Sequence, residues 1–383
     1  MRAQSCCGKD AFTGAAIEVV FHDTVQSVTP APEPTDLDLY LAPGFIDLQV
    51  NGFAAVDYNH PHTTFDSIAR SLRAQFATGV TRLYPTVITG APDEMLACLR
   101  NLAAARESLP EGPAMEGFHV EGPHIAMDDG PRGAHPRRWV RPPDIDEFHR
   151  WQDAARGRIR IVTLSPEWPE APRYIERITV EGVVASIGHT QATTGQIADA
   201  VGAGATMSTH LGNGAHQLLR RHPNYIWDQL AEDRLMASFI VDGIHLGGAF
   251  LKSAVRAKGV ERSVLVTDAA TPAGATPGRY AIADQPVELT ADGRVVLADT
   301  DRLAGSALNM RRGVENLMRI AGLSLGDAIR MATTNPARAG KVPGRAGGLV
   351  AGDRADIIQF RWNGTGEFEI TSVWISGQPA IGS

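Results

Sequence analysis

The chain has 383 residues, 43% hydrophobic and 21% charged, with a formal net charge of −7 and a pI near 5.9. That is the balance of a folded globular protein, long enough for one large domain and a small one. It has no long basic run, so nucleic acid is not an expected partner, and no apolar run approaches ~18 residues, so no membrane span is expected.

The start, MRAQSCCGKDAFTG, lacks the apolar segment of a secretory signal, so the expected location is the cytoplasm. Cys6, Cys7 and Cys98 have neither the number nor the spacing of a disulfide framework or a zinc knuckle. Only four of the 36 basic residues are Lys, namely Lys9, Lys252, Lys258 and Lys341, which reads as codon bias beside so much Ala, Gly and Arg.

AIEVVF and DLDLYLA alternate like strands, with the Pro-rich TPAPEPT between them. The C-terminal end is similar: ADIIQFRW and EFEITSVWISG flank the turn NGTG. Two β-rich ends predict a small β-sandwich domain from residues 1–42 and 344–383. Between them, short apolar runs recur, each followed by a helix-like stretch. They are FIDLQV (45–50), TRLYPTVIT (81–89), MEGFHVEG (115–122), RIRIVTLSPE (158–167), VVASIGHT (183–190), TMSTHLGN (206–213), MASFIVDGIH (236–245) and SVLVTDAATPAG (263–274). Continuous apolar runs suit buried parallel strands. Eight such units predict a (β/α)8 TIM barrel over 43–343. A doubly wound sheet is the alternative, but no G-x-G-x-x-G turn follows the first strand.

A barrel places its chemistry at the C-terminal ends of its strands. Those ends carry Gln49 and Asn51, His119 and Glu121, His189, His210, Asp242 and His245, and Asp268. Glu121, His189 and His210 could supply one oxygen and two nitrogens, a common catalytic zinc set with a fourth position open. Singly, each residue reads as an ordinary core, turn or surface group; their joint placement singles them out. His60, His62 and His149 lack that placement, and His222 lies just beyond the sixth strand.

LAPGFIDLQVNG, HVEGP, SIGHT, STHLGNG, VDGIHL, LVTDAATPAG and LAGSALNM resemble, in order, the motifs of N-acetylglucosamine-6-phosphate deacetylases of the amidohydrolase superfamily. TTNPAR and AGGLVAGDRADII resemble the superfamily's C-terminal signature. Many of its members carry D-x-H-x-H on the first strand, where this chain has Gln49 and Asn51. Some deacetylases share that exchange and keep one metal on a Glu and two His. The resemblance therefore implies one divalent ion per subunit on Glu121, His189 and His210, with zinc first and iron, manganese or cobalt able to use the same set. Gln49 and Asn51 would line the site behind the ligands.

It implies further that Asp268 is the general base and then acid, and that His135 in DGPRGAHP faces the substrate and stabilises an oxyanion. Asn213 and Gly214 match a phosphate-contacting pair, usually Asn-Ala. Arg221 matches an Arg that reaches the phosphate from the neighbouring subunit of a homodimer. His245 and Leu303 match further pocket positions. The chain departs from the family's H-L-[FY]-N-A-M at Gly212 and Ala215, has His124 after EGP, and carries an insertion in DDGPRGAHPRRWVRPPD. The expected reaction is removal of the N-acetyl group of N-acetyl-D-glucosamine 6-phosphate. Two alternatives stand beside it: the same chemistry on another N-acylated small molecule, and a non-catalytic barrel acting as an interaction module.

Overall fold

FIDLQV forms β1 (Phe45–Val50), with all six residues buried in a computed structural model that describes residues 3–34, 36–345, 347–365 and 368–382. The other seven apolar runs also become strands: β2 (Val80–Ile88), β3 (Phe118–Glu121), β4 (Ile159–Leu164), β5 (Val184–Ile187), β6 (Met207–Ser208), β7 (Met236–Ile240) and β8 (Ser263–Val266). Each pairs parallel with the next, in chain order. The ring closes just past the ends of β1 and β8. There Val50 bridges Ala269, and the Asn51 N–H donates to the Ala269 carbonyl at 2.7 Å.

A side chain completes the seam below that bridge. The Asp47 carboxylate accepts the Thr267 N–H at 3.2 Å and the Thr267 hydroxyl at 2.5 Å. Burial pushes the Asp47 carboxyl up to about 7, against the pull of those hydrogen bonds. One core cluster draws Ile46, Leu48, Tyr84, Ile161, Val184, Met207, Ile240 and Val264 from every strand but β3, as expected of a filled barrel interior.

The helices cover the outside. The helix Phe65–Phe76 shows the logic: the Thr64 side chain accepts the Ser67 N–H as an N-cap, and Ile68, Leu72 and Phe76, four apart, are buried. No described helix is long and apolar enough to cross a membrane.

Strands from both ends of the chain form the small β-sandwich. Their hydrogen-bonded order is Gln378–Ile381, Glu369–Ile375, Ile357–Arg361, Leu39–Pro43, Gln4–Asp10, Ala16–Phe21 and Val25–Pro30. Asp356, just before one of these strands, accepts from Arg82 of β2 at 2.5 Å and from Arg354 at 2.8 Å, so a buried ion cluster ties this sheet to the barrel.

The sequence reading missed one element. After β8 a three-stranded antiparallel sheet stands apart from the barrel: β9 (Gly278–Ile282), β10 (Gln285–Leu289) and β11 (Val295–Leu297). Its apolar side, Ile282, Val287, Leu289 and Val295, packs on Ala270 and Ala304. The Asp57 carboxylate accepts the Ala283 N–H at its first turn, and Arg138 pairs with Asp284 beside it, so this sheet is pinned at the mouth of the barrel.

Candidate metal centre and active site

Glu121 is the last residue of β3, and His189, His210 and Asp268 each lie two residues past the ends of β5, β6 and β8. These three have positive φ, at 50°, 29° and 50°, which turns each chain sharply off its strand. Glu121, His189 and His210 are all nearly fully buried. Glu121 Oε1 lies 2.9 Å from His210 Nε2 and 3.3 Å from His189 Nε2, and the two nitrogens are 3.1 Å apart.

The chemistry of these donors fits a cation. His189 Nδ1 lies 2.9 Å from the Pro131 carbonyl, which can only accept, so the ring proton sits on Nδ1 and a neutral ring offers a lone pair at Nε2. That lone pair faces a carboxylate oxygen, also an acceptor, and a positive ion reconciles the two. Atoms at these separations surround a point about 1.8 Å from each, a little under the ~2.0–2.2 Å of zinc bonds to nitrogen and carboxylate oxygen. Burial would lift the Glu121 carboxyl, but the imidazoles of His189 and His210 beside it hold it well below the usual carboxylate range. Burial opposes charge on His210 too, yet the adjacent Glu121 raises that imidazole above its ordinary value.

Gln49 and Asn51 stand where two ligands could have been, and both act as donors. Gln49 Nε2 donates to Glu121 Oε1 at 2.8 Å and to Asp268 Oδ1 at 3.1 Å, and Asn51 Nδ2 donates to the same Asp268 oxygen at 2.7 Å. Among the described residues no hydrogen bond reaches Oδ2 of Asp268, which is left for another partner. Burial and then the Glu121 charge push the Asp268 carboxyl up to about 6.

His135 lies beside the group, its ring centroid 4.4 Å from that of His189 and its Nε2 3.9 Å from Glu121 Oε2. Its Nδ1 meets the Thr89 hydroxyl at 2.8 Å. Burial and the neighbouring His189 lower its pKa to about 3, so the ring is neutral. His245 is fixed by Asp242, whose Oδ2 accepts from Nδ1 at 2.6 Å.

A cavity of about 870 Å³ opens over these groups and is lined also by Asn213, Gly214, His216, His245, Arg302 and Leu303. Gly214 has φ +55°, and a Cβ there would come within 2.7 Å of His189 Nδ1, so this chain needs glycine where Asn-Ala was the expected pair. A Cβ on Gly212 would meet Phe250 at 2.7 Å and Leu246 at 2.8 Å; the space of the expected aromatic is filled from the helix Gly248–Lys258.

Other residues fall elsewhere. Arg221 lines an adjoining cavity, with His222, rather than the one over Glu121. His119 is structural: its Nδ1 donates to the Leu48 carbonyl at 3.0 Å, and Thr163 meets its Nε2 at 2.7 Å. His60 is exposed, and His149 pairs with Glu181 at 3.0 Å. The sequence reading missed Thr89, Pro131, His216 and the residues of β9–β11. Their roles come from contacts between distant segments.

A (β/α)8 barrel with a Glu-His-His group and a carboxylate at its strand ends defines a metal-dependent hydrolase of C–N bonds. The amidohydrolase family model matches residues 40–380. The N-acetylglucosamine-6-phosphate deacetylase of Bacillus subtilis (strain 168) is 34% identical over 325 residues, 84% of this chain and 80% of that one. The N-acetylgalactosamine-6-phosphate deacetylase of Shewanella sp. (strain ANA-3) is 32% identical over 338 residues, 88% of this chain and 82% of that one. Among solved structures, an N-acetyl-D-glucosamine-6-phosphate deacetylase mutant from Mycobacterium smegmatis, in complex with N-acetyl-D-glucosamine-6-phosphate, superposes with a TM-score of 0.90 at 29% identity and covers 100% of both chains. The chain belongs to the amidohydrolase family and, within it, to the N-acetylglucosamine-6-phosphate deacetylases.

Proposed function

We propose that the protein removes the acetyl group of N-acetyl-D-glucosamine 6-phosphate, releasing acetate and glucosamine 6-phosphate. The observation that carries this reading is the pairing of the Glu121–His189–His210 group with an Asp268 carboxylate whose Oδ1 is taken by Gln49 and Asn51.

One divalent ion per subunit, zinc foremost, held by Glu121, His189 and His210 would supply a Lewis acid and make water a competent nucleophile at neutral pH. Asp268 accepts the proton of the attacking water at Oδ2, the oxygen free of amide donors, and returns it to the amine as the C–N bond breaks. Gln49 and Asn51 fix that carboxylate. The Thr89 hydroxyl can donate to His135 Nδ1, which puts the ring proton on Nε2 and offers a neutral donor to the developing oxyanion.

Asn213, Gly214, His245 and Leu303 line the same cavity, which supports the reading of these residues as contacts for the sugar phosphate. Leu219 and Trp227 are large apolar side chains left exposed around the cavity that Arg221 lines, which supports a homodimer in which the partner subunit's Arg221 completes the phosphate site. The Shewanella relative favours one second reading, the 6-phosphate of N-acetylgalactosamine.

The test is acetate release by metal-loaded protein from both N-acetylhexosamines, with and without 6-phosphate. The glucosamine phosphate should give the highest kcat/KM; preference for an unphosphorylated sugar would overturn the reading. Arg221→Ala should raise KM for the phosphosugar more than it lowers kcat. Mixing it with Asp268→Asn subunits should restore part of the activity if the site is shared between subunits.

A further inference from the structure

We infer that His216, set in place by Tyr225 and the short helix Asp129–Arg132, is a specificity-determining contact for the anionic end of the substrate; the inference rests on the phosphosugar reading above.

His216 lies two residues beyond Gly214 and lines both the site cavity and the adjoining one. Three contacts immobilise it. Its backbone N–H donates to the Tyr225 hydroxyl oxygen at 2.9 Å, and its Nδ1 meets the same oxygen at 3.0 Å. A Cβ on Gly130 would lie only 2.9 Å from His216 Cδ2 and 3.0 Å from its Cα, so that helix rests directly on this residue. Tyr225 is itself buried, in the first turn of the helix Tyr225–Ala231 capped by Asn224.

These contacts set the ring's proton. Burial raises the Tyr225 pKa, so it keeps its proton at neutral pH. The phenol oxygen already accepts the His216 N–H, and its own hydrogen can go to Nδ1. The ring proton then sits on Nε2, an atom with no protein partner among the described residues.

His245 is held through the same ring atom but with the opposite tautomer, since its Nδ1 donates to a carboxylate. It also lines both cavities, and Asp242 holds it through Nδ1 at 2.6 Å. Two imidazoles, each held by Nδ1, thus border one junction with Asn213 and Gly214 near them. The acid on that helix, Asp129, is already paired with Arg132. The fixed His216 N–H at the edge of this small polar space suits a phosphate group, which offers several acceptor oxygens and rewards a donor that needs no reordering.

The test uses metal-loaded full-length protein with His216→Ala, His216→Gln and Tyr225→Phe. Measurements are kcat and KM on N-acetyl-D-glucosamine with and without 6-phosphate, and inorganic phosphate binding by calorimetry. His216→Ala should raise KM for the phosphosugar about tenfold, the effect of losing one hydrogen bond to a charged group, and lower kcat less. Phosphate affinity should fall by a similar factor. His216→Gln, which keeps an N–H donor, should recover part of the loss, and Tyr225→Phe should fall between His216→Ala and the parent. Equal losses in kcat/KM on both sugars would mark His216 as packing alone and overturn the inference. If the parent protein does not hydrolyse the phosphosugar, the proposed function fails by itself. Phosphate binding then still decides, since an unchanged affinity in His216→Ala and Tyr225→Phe removes His216 from any anion site.

Discussion

Asn51 donates its amide N–H to Asp268 Oδ1 at 2.7 Å, across the seam where the first and last strands of the barrel meet. The bond occupies Oδ1 and leaves Oδ2 for the proton transfer proposed above. Asn51→Asp keeps the shape, removes the donor and sets a like charge against Asp268. It should lower kcat by about 10²-fold, the lower end of the loss for an impaired general base, with little change in thermal unfolding. Near-normal turnover would detach Asn51 from the chemistry.

Metal content checks the ligand set. Elemental analysis of the purified protein should find one divalent ion per chain. Glu121→Gln or His210→Asn should remove most of it, because two ligands hold an ion poorly where three held it well. Two ions per chain, or retention by both variants, would refute the assignment.

Asp268→Asn tests proton transfer separately from metal binding. It should keep the ion and the fold and lose ~10²–10⁴-fold in kcat. If metal disappears with activity, Asp268 is a ligand and the base lies elsewhere.

The Arg82–Asp356 pair predicts a pH dependence of stability. Burial would raise the Asp356 carboxyl, but Arg354, Arg82 and Arg345 hold it below the usual carboxylate range. A carboxylate whose folded pKa is depressed stabilises the fold above its unfolded value of ~3.9 and loses that contribution as pH falls through the folded value. Asp356→Asn should therefore flatten the acid side of the stability curve. At pH 7 it should cost about 3–5 kcal/mol, the penalty for leaving buried charges unpaired. Denaturant unfolding between pH 3 and 7 measures both effects.

Much of this site is legible in the sequence because barrel strands covered on both faces are short unbroken apolar runs, and polar residues at or just past the ends of several of them line the site cavity. FIDLQV, FHVE and SVLVTD are examples. The sheet β9–β11 escaped because its alternating strands directly follow the last barrel run and read as that run's tail, although the DG in TADGRVV is a hairpin signal. The locks on the site escaped for another reason. Pro131 on His189, Thr89 on His135 and Tyr225 on His216 are contacts set by folding, and no local pattern announces them. The need for glycine at 214 likewise follows from the position of a histidine 25 residues earlier.

The left-handed turns at His189, His210 and Asp268 set function against durability. A residue other than glycine held in that region costs of order 1–3 kcal/mol, and here three such residues crowd around one ion-sized space. Selection for thermal resistance alone would drift towards glycine or asparagine at these positions, and so towards a sturdier protein that no longer performs the reaction. An engineering campaign on this scaffold should therefore hold these three codons fixed and seek its gains in the outer helices.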